Sequence, residues 1–183
     1  MKLFNTAVAS LLFVASSVLS VANAGLITLD DKSTSVNGGI ISYTDLIADT
    51  TTVSDATFTL SIAGDFDSTN ENVAISIEGF SLGVVFDDNT NNDAFDFAGD
   101  DYVGNHSNYI FMTGVATIAQ ADWENIIADG LVSISFDLSS PVNCCSNPHA
   151  FTSGNISYDV PEPTSLAMFA LGLIGFGARR FNK

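Results

Sequence analysis

Apolar and polar residues alternate with period two through most of the chain. Thr57-Phe58-Thr59-Leu60-Ser61-Ile62, Val73-Ala74-Ile75-Ser76-Ile77-Glu78 and Val132-Ser133-Ile134-Ser135-Phe136-Asp137-Leu138 each give one face to a core and one to water. Asn155-Ile156-Ser157-Tyr158-Asp159-Val160 does the same. Further strands are expected at residues 26–29, 39–43, 82–86 and 109–115. Half-buried strands of this kind suit antiparallel sheets, and about eight of them predict a two-sheet, jelly-roll-like sandwich.

One segment departs from that period. Trp123, Ile126 and Ile127 fall at i, i+3 and i+4, Thr117-x-x-Gln120 has capping-box spacing, and Gly130 is placed to end the turn, which together predict one short helix. It is expected to lie across one open end of the sandwich. Trp123 is read there as a core anchor, with an exposed sugar-stacking platform as the alternative.

The two termini break the alternation differently. Met1 and Lys2 precede an apolar stretch from Leu3 to Val21, and Ala22-Asn23-Ala24 is an A-x-A cleavage site before Gly25, so residues 1–24 read as a signal peptide for export. At the other end Pro161-Glu162-Pro163 precedes an apolar run from Ser165 to Ala178, then Arg179-Arg180 and Lys183. As a helix, that run would reach roughly 21 Å at 1.5 Å per residue, short of a hydrocarbon core about 30 Å thick. It reads as a stop signal held by basic residues at the membrane surface and open to later removal. Residues 25–160 are left as one domain, with 161–183 as a sorting and anchor segment.

Pro161, Glu162 and Pro163, the short hydrophobic helix and the basic Arg179 and Arg180 resemble the PEP-CTERM sorting signal of Gram-negative bacteria. The resemblance implies an exosortase-type partner that processes the tail, a transient stay in the inner membrane, and a destination at the cell surface or in the extracellular polysaccharide matrix. It implies no activity for residues 25–160.

Charge narrows the partners of that domain. Twenty of the 21 acidic residues fall in it against one base, Lys32, for a net −19 with histidines neutral. Nucleic acid and anionic membrane are repelled by such a surface. The acids either keep an exported protein dispersed or hold divalent cations.

Asp87, Asn89, Asn91 and Asp93 offer hard oxygen ligands at spacings of two, as in the first half of an EF-hand calcium loop. Asn92 stands where the turn glycine belongs and Ala98 where the bidentate glutamate belongs, so an irregular Ca²⁺ site is the sharper reading and a solvated turn-rich loop through Asp100 and Asp101 the plainer one. The acidic turn Gly64 to Glu71 divides between the same two readings.

Gly79-Phe80-Ser81-Leu82-Gly83 matches the nucleophile-elbow pattern, but the strand-forming Val84-Val85-Phe86 follows where a helix is required, so a hairpin turn is expected. Asp101, His106 and His149 could be named as partners for Ser81, with nothing in the pattern selecting them. The two cysteines, Cys144 and Cys145, are adjacent. In an oxidising compartment they form a strained vicinal disulfide, link other molecules or stay free. No spacing selects a carboxylate pair for glycoside hydrolysis. The expected function is therefore a non-enzymatic surface or matrix protein, structural, adhesive or exopolysaccharide-binding; the alternative is a secreted hydrolase acting on matrix polysaccharide.

Overall fold

The computed structural model describes residues 23–97, 109–143, 149–162 and 171–172. Eight strands form: β1 (Asn23–Thr34), β2 (Ile40–Ile47), β3 (Ala56–Gly64), β4 (Val73–Ile77), β5 (Phe80–Val85), β6 (Ile110–Ile118), β7 (Leu131–Leu138) and β8 (Ala150–Val160). Each contains or overlaps a stretch where the alternation predicts one. The first sheet has the order β1-β8-β3-β6 and the second β2-β7-β4-β5, which is jelly-roll connectivity. Residues Ala24–Asp159 make one compact unit.

Alternation decides which residues meet between the sheets. Phe58, Leu60 and Ile62 of β3 are wholly buried, as are Val132 and Phe136 of β7 and Val73 and Ile77 of β4. Their sequence neighbours point outward. β3 pairs residue by residue with β6 from Ala56↔Ile118 to Gly64↔Ile110 and with β8 from Thr57↔Ser157 to Ala63↔Phe151, so its place inside the first sheet is fixed on both sides.

The helix α1 (Gln120–Ile126) joins β6 to β7, and Gly130, at φ 81°, donates its N–H to Ile127 O and ends the turn. The capping box does not form. Thr117 still belongs to β6, the N-cap is Ala119, and the Gln120 N–H is taken instead by Asp55 Oδ1 at 2.9 Å, a residue just before β3. Trp123 and Ile127 are fully buried and Ile126 nearly so, which makes Trp123 the anchor and rules out a stacking platform. Its ring meets Tyr158 of β8 edge-on at 5.1 Å. Among the described residues its Nε1 finds no hydrogen-bond partner, so packing alone holds it.

A polar clamp joins the sheets. The Tyr43 hydroxyl, on β2, lies 2.8 Å from the carbonyl oxygens of Asp30 and Thr152 and 3.0 Å from Thr152 Oγ1, so it donates to backbone carbonyls of β1 and β8. Burial holds its phenol above the ordinary range, only partly offset by the Thr152 hydrogen bond.

These contacts set an order of stability. Trp123→Ala should cost about 3–5 kcal/mol by emptying the end of the sandwich, and Tyr43→Phe about 1–3 kcal/mol by stranding buried polar partners. Urea unfolding followed by circular dichroism measures both. Equal, negligible losses would mean that neither contact holds the sheets.

Candidate functional site

Of the two readings of the loop after β5, a calcium site or a solvated turn-rich loop, the second does not hold along its length. Phe95 and Phe97 are buried, and with Phe86 they form a chain of rings: Phe66 to Phe86 at 4.6 Å, Phe86 to Phe97 at 5.0 Å, Phe97 to Phe95 at 5.3 Å and Phe95 to Phe58 at 5.4 Å. Backbone bridges tie Asp93 to Gly83 of β5 and Phe95 to Ala116 of β6. The segment therefore spans one open side of the sandwich, from the edge of the second sheet to the edge of the first. At Gly83 a Cβ would fall 2.2 Å from Asp93 Cα, so only glycine allows that approach.

Within this loop three of the four predicted calcium ligands, Asp87, Asn89 and Asp93, turn to the loop's own backbone, and for Asn91 it is the backbone N–H that is engaged. Asp87 Oδ1 accepts from Asn89 N at 3.1 Å, Asn89 Oδ1 from Asn91 N at 3.3 Å and Asp93 Oδ1 from Phe95 N at 2.7 Å, while Asp87 Oδ2 accepts from Asn92 Nδ2 at 2.7 Å. These are Asx-type turns, the usual work of Asn and Asp in loops.

Carboxylates converge elsewhere. In the turn from β3 to β4, Asp65, Asp67 and Glu71 place one oxygen each within 4.8 Å of one another. Asp65 and Glu71 are buried, and Glu71 Oε2 accepts the Asp67 N–H at 2.8 Å while Glu71 N donates to Ser68 O. Burial first, then the shared hydrogen bond with Asp67 and the charge of Asp65, push the Glu71 carboxyl up to about 7. Three such groups can be neutralised in two ways: by retaining a proton or by sharing a cation. Hard oxygen donors at this separation suit Ca²⁺ better than Mg²⁺, which demands a strict octahedron. The residues Asp65, Asp67 and Glu71 lie in the second acidic turn that the sequence pattern offered. Their convergence could be anticipated only as one of several pairings.

The elbow pattern folds as a hairpin. Glu78 and Gly79 make the β4–β5 turn, both at positive φ, and Ser81 sits inside β5 on an exposed position with its Oγ accepting from Gly83 N at 3.2 Å. No helix follows, so the hydroxyl is not presented at a strained strand-to-helix turn. Its suggested partners Asp101 and His106 lie outside the described residues, as do Cys144 and Cys145; His149, just before β8, is exposed.

The tail begins where the sheet stops. β8 ends at Val160, and Pro161 and Glu162 follow directly; Pro163, Arg179 and Arg180 lie outside the described residues. Among the described residues no helix is long and apolar enough to cross a membrane.

The chain carries a PEP-CTERM protein-sorting motif, matched over residues 159–180. The match covers the tail and not the sandwich. No curated protein matches the chain in sequence. Two solved structures are similar in fold. One is the CBM36-1 domain of a multidomain xylanase from the hindgut metagenome of Trinervitermes trinervoides, at 12% identity and a TM-score of 0.32 over 74% of this chain and 95% of that one. The other is a carbohydrate-binding module CBM36 in complex with calcium and xylotriose, at 15% identity and a TM-score of 0.30 over 76% and 90%. Both are distant, and neither bears on the ligands of this chain.

The raised Glu71 carboxyl makes stability depend on pH in a fixed direction. Between its ordinary value of 4.5 and about 7 the folded state keeps a proton that the unfolded state has lost, so stability falls as pH rises through that window and the penalty is complete above it. Melting in EDTA across this range should show the fall, and Glu71→Gln should flatten part of it. A slope unchanged by Glu71→Gln would place the effect in the other acids.

Proposed function

We propose that this is an exported protein that an exosortase-type enzyme recognises by its tail and that works at the cell surface or in the extracellular matrix. Its sandwich serves there as a structural, adhesive or polysaccharide-binding component rather than as an enzyme. The observation that carries the reading is the sorting motif directly after the last strand. The membrane stay is transient on this reading, because the apolar run is short for a bilayer. A net charge of −19 on residues 25–160 suits a dispersed extracellular protein and disfavours nucleic acid as a partner.

Sorting is testable apart from folding. Glu162→Ala, or removal of residues 165–183, should change the destination of the protein while leaving its melting temperature near that of the parent, since the motif follows the last strand. Mass spectrometry of the secreted protein should find a shortened C-terminus. Recovery of chains intact through Lys183 would count against processing.

Calcium at Asp65, Asp67 and Glu71 belongs to the same reading. A cation bound only by the folded chain adds about 2.7 kcal/mol at 100 times its dissociation constant. The melting temperature should rise with millimolar Ca²⁺ more than with Mg²⁺, and Asp67→Asn should remove the rise. Loss of the rise in Asp87→Asn instead would assign the ion to the loop of Asp87, Asn89, Asn91 and Asp93. An equal small rise with either cation, or with matched monovalent salt, would be charge screening and no site.

A further inference from the structure

Across β8, β3 and β6 the outer face of the first sheet departs from the rest of the domain in composition, while β1 at the sheet's edge carries the exposed Asp30, Asp31 and Lys32. On β3 the outward residues are Thr57, Thr59 and Ser61, and each has an in-register neighbour on both sides. Thr57 lies between Thr117 and Ser157, Thr59 between Val115 and Asn155, and Ser61 between Thr113 and Ser153. Seven of these nine side chains carry a hydroxyl, one is a carboxamide, and none is charged. In a domain with twenty acids and one base, an open sheet face would be the natural place for some of them.

Pairing makes this face a grid. Strands about 4.8 Å apart, with outward residues every ~6.7 Å along each, repeat hydrogen-bonding groups in two directions. Branching at Cβ stiffens the threonines, and Ser61 Oγ and Thr113 Oγ1 already lie 3.0 Å apart in a hydrogen bond. The row beyond Ser61 sets Ala63 between Phe111 and Phe151, and Phe111 is 61% exposed, a large apolar ring left in water at the margin of the grid. At the opposite margin Thr57 and Ser157 border a groove of about 440 Å³ that Asp55 and Asp159 also line.

We propose that this face binds a neutral glycan, a polymer of pyranose rings without carboxylate or sulfate groups, with one ring stacked on Phe111 and its neighbours hydrogen-bonded along the threonine and serine rows. The proposal rests on the polysaccharide-binding reading above and names its face and ligand class. A sugar ring presents an apolar C–H surface to an aromatic ring and hydroxyls around its rim, which is the pairing offered here. Anionic polymers are repelled by the surrounding acids, and a second copy of the chain would bring two domains of −19 face to face.

The full-length chain, purified in mild detergent, would be run by affinity electrophoresis through gels holding mixed-linkage β-glucan, xylan or dextran, with alginate as the anionic comparison. At least one neutral glycan should retard it and alginate should not. Phe111→Ala should weaken the retardation roughly tenfold, and Thr59→Glu should abolish it. Thr59→Val, which keeps the shape and loses the hydroxyl, should weaken it several-fold and stands in if Thr59→Glu does not fold. Ser135→Glu, on the outer face of the second sheet, should change nothing. Loss in Ser135→Glu with retention in both Thr59 variants would overturn the assignment of this face while leaving polysaccharide binding intact. Retardation by alginate alone would overturn the neutral ligand. No retardation by any glycan would overturn both readings, and a dimer in sedimentation that Thr59→Glu dissociates would assign the face to a second copy and overturn the glycan.

Discussion

A two-sheet sandwich is stable only if its open sides and ends are closed, and in this protein that requirement organises most of what lies outside the strands. Apolar residues at every second position fill the space between the sheets but leave four ways in for water. One side is shut by the Tyr43 hydroxyl, which reaches from β2 to the carbonyls of Asp30 and Thr152 across the gap. The other is covered by residues 93–97, bridged to β5 and β6 and pinned by Phe95 and Phe97. Trp123 closes the end where β6 passes to β7. At the opposite end Asn143, strained at φ 73°, donates from Nδ2 to Thr34 O and Val36 O and accepts from Ala150 N. One side is thus closed mainly by hydrogen bonds and the other mainly by rings.

The same requirement explains where the charge went. Acidic residues cannot share the core, and they are concentrated in the turns and loops that bound it. Most remain solvated, where repulsion is screened within about 8–10 Å at ordinary salt. The β3–β4 turn is different because Phe66 enters the ring cluster and draws its neighbours inward with it. Asp65 and Glu71 are buried by the anchor between them rather than by any affinity for the interior. The upward shift at Glu71 is the electrostatic consequence of that packing.

Strands were legible in the sequence because each needs only its own alternation. All eight are present, and the lengths most underestimated are those of β1 and β8, whose outer halves include polar pairs such as Asp30-Asp31 and the flat Ser153-Gly154 step, while β2 and β6 each run three or four residues past their expected ends. Features that depend on distant partners were not legible. The helix cap is supplied by Asp55, and no local box could announce it. The calcium spacing at Asp87 to Asp93 describes ligands correctly by type, yet one oxygen each of Asp87, Asn89 and Asp93 is taken by a backbone donor of the loop itself. Two phenylalanines inside an otherwise polar loop were the available signal that it packs, since a solvated loop has no use for them. Glycine at 79 and 83 was right for a turn and a close approach, which a five-residue motif cannot tell from an enzyme's elbow.

The junction between sandwich and tail carries a mechanical constraint. Val53 N donates to Asp159 O at 2.9 Å and Asp159 N donates to Ser54 Oγ at 2.9 Å, so β8 is held to within one residue of Val160. Pro161 then ends the pairing, having no N–H to give. From Val160 to Glu162 an extended chain reaches only about 7 Å, and no flexible linker separates the sorting motif from the folded domain. On the sorting proposal above, an enzyme that grips Pro161 and Glu162 meets the end of β8 directly. Asp159 O also accepts from Thr52 Oγ1 at 3.1 Å, and β8 is paired with β1 on one side and β3 on the other, so three hydrogen bonds to residues 52–54 and the sheet itself hold the end of the strand.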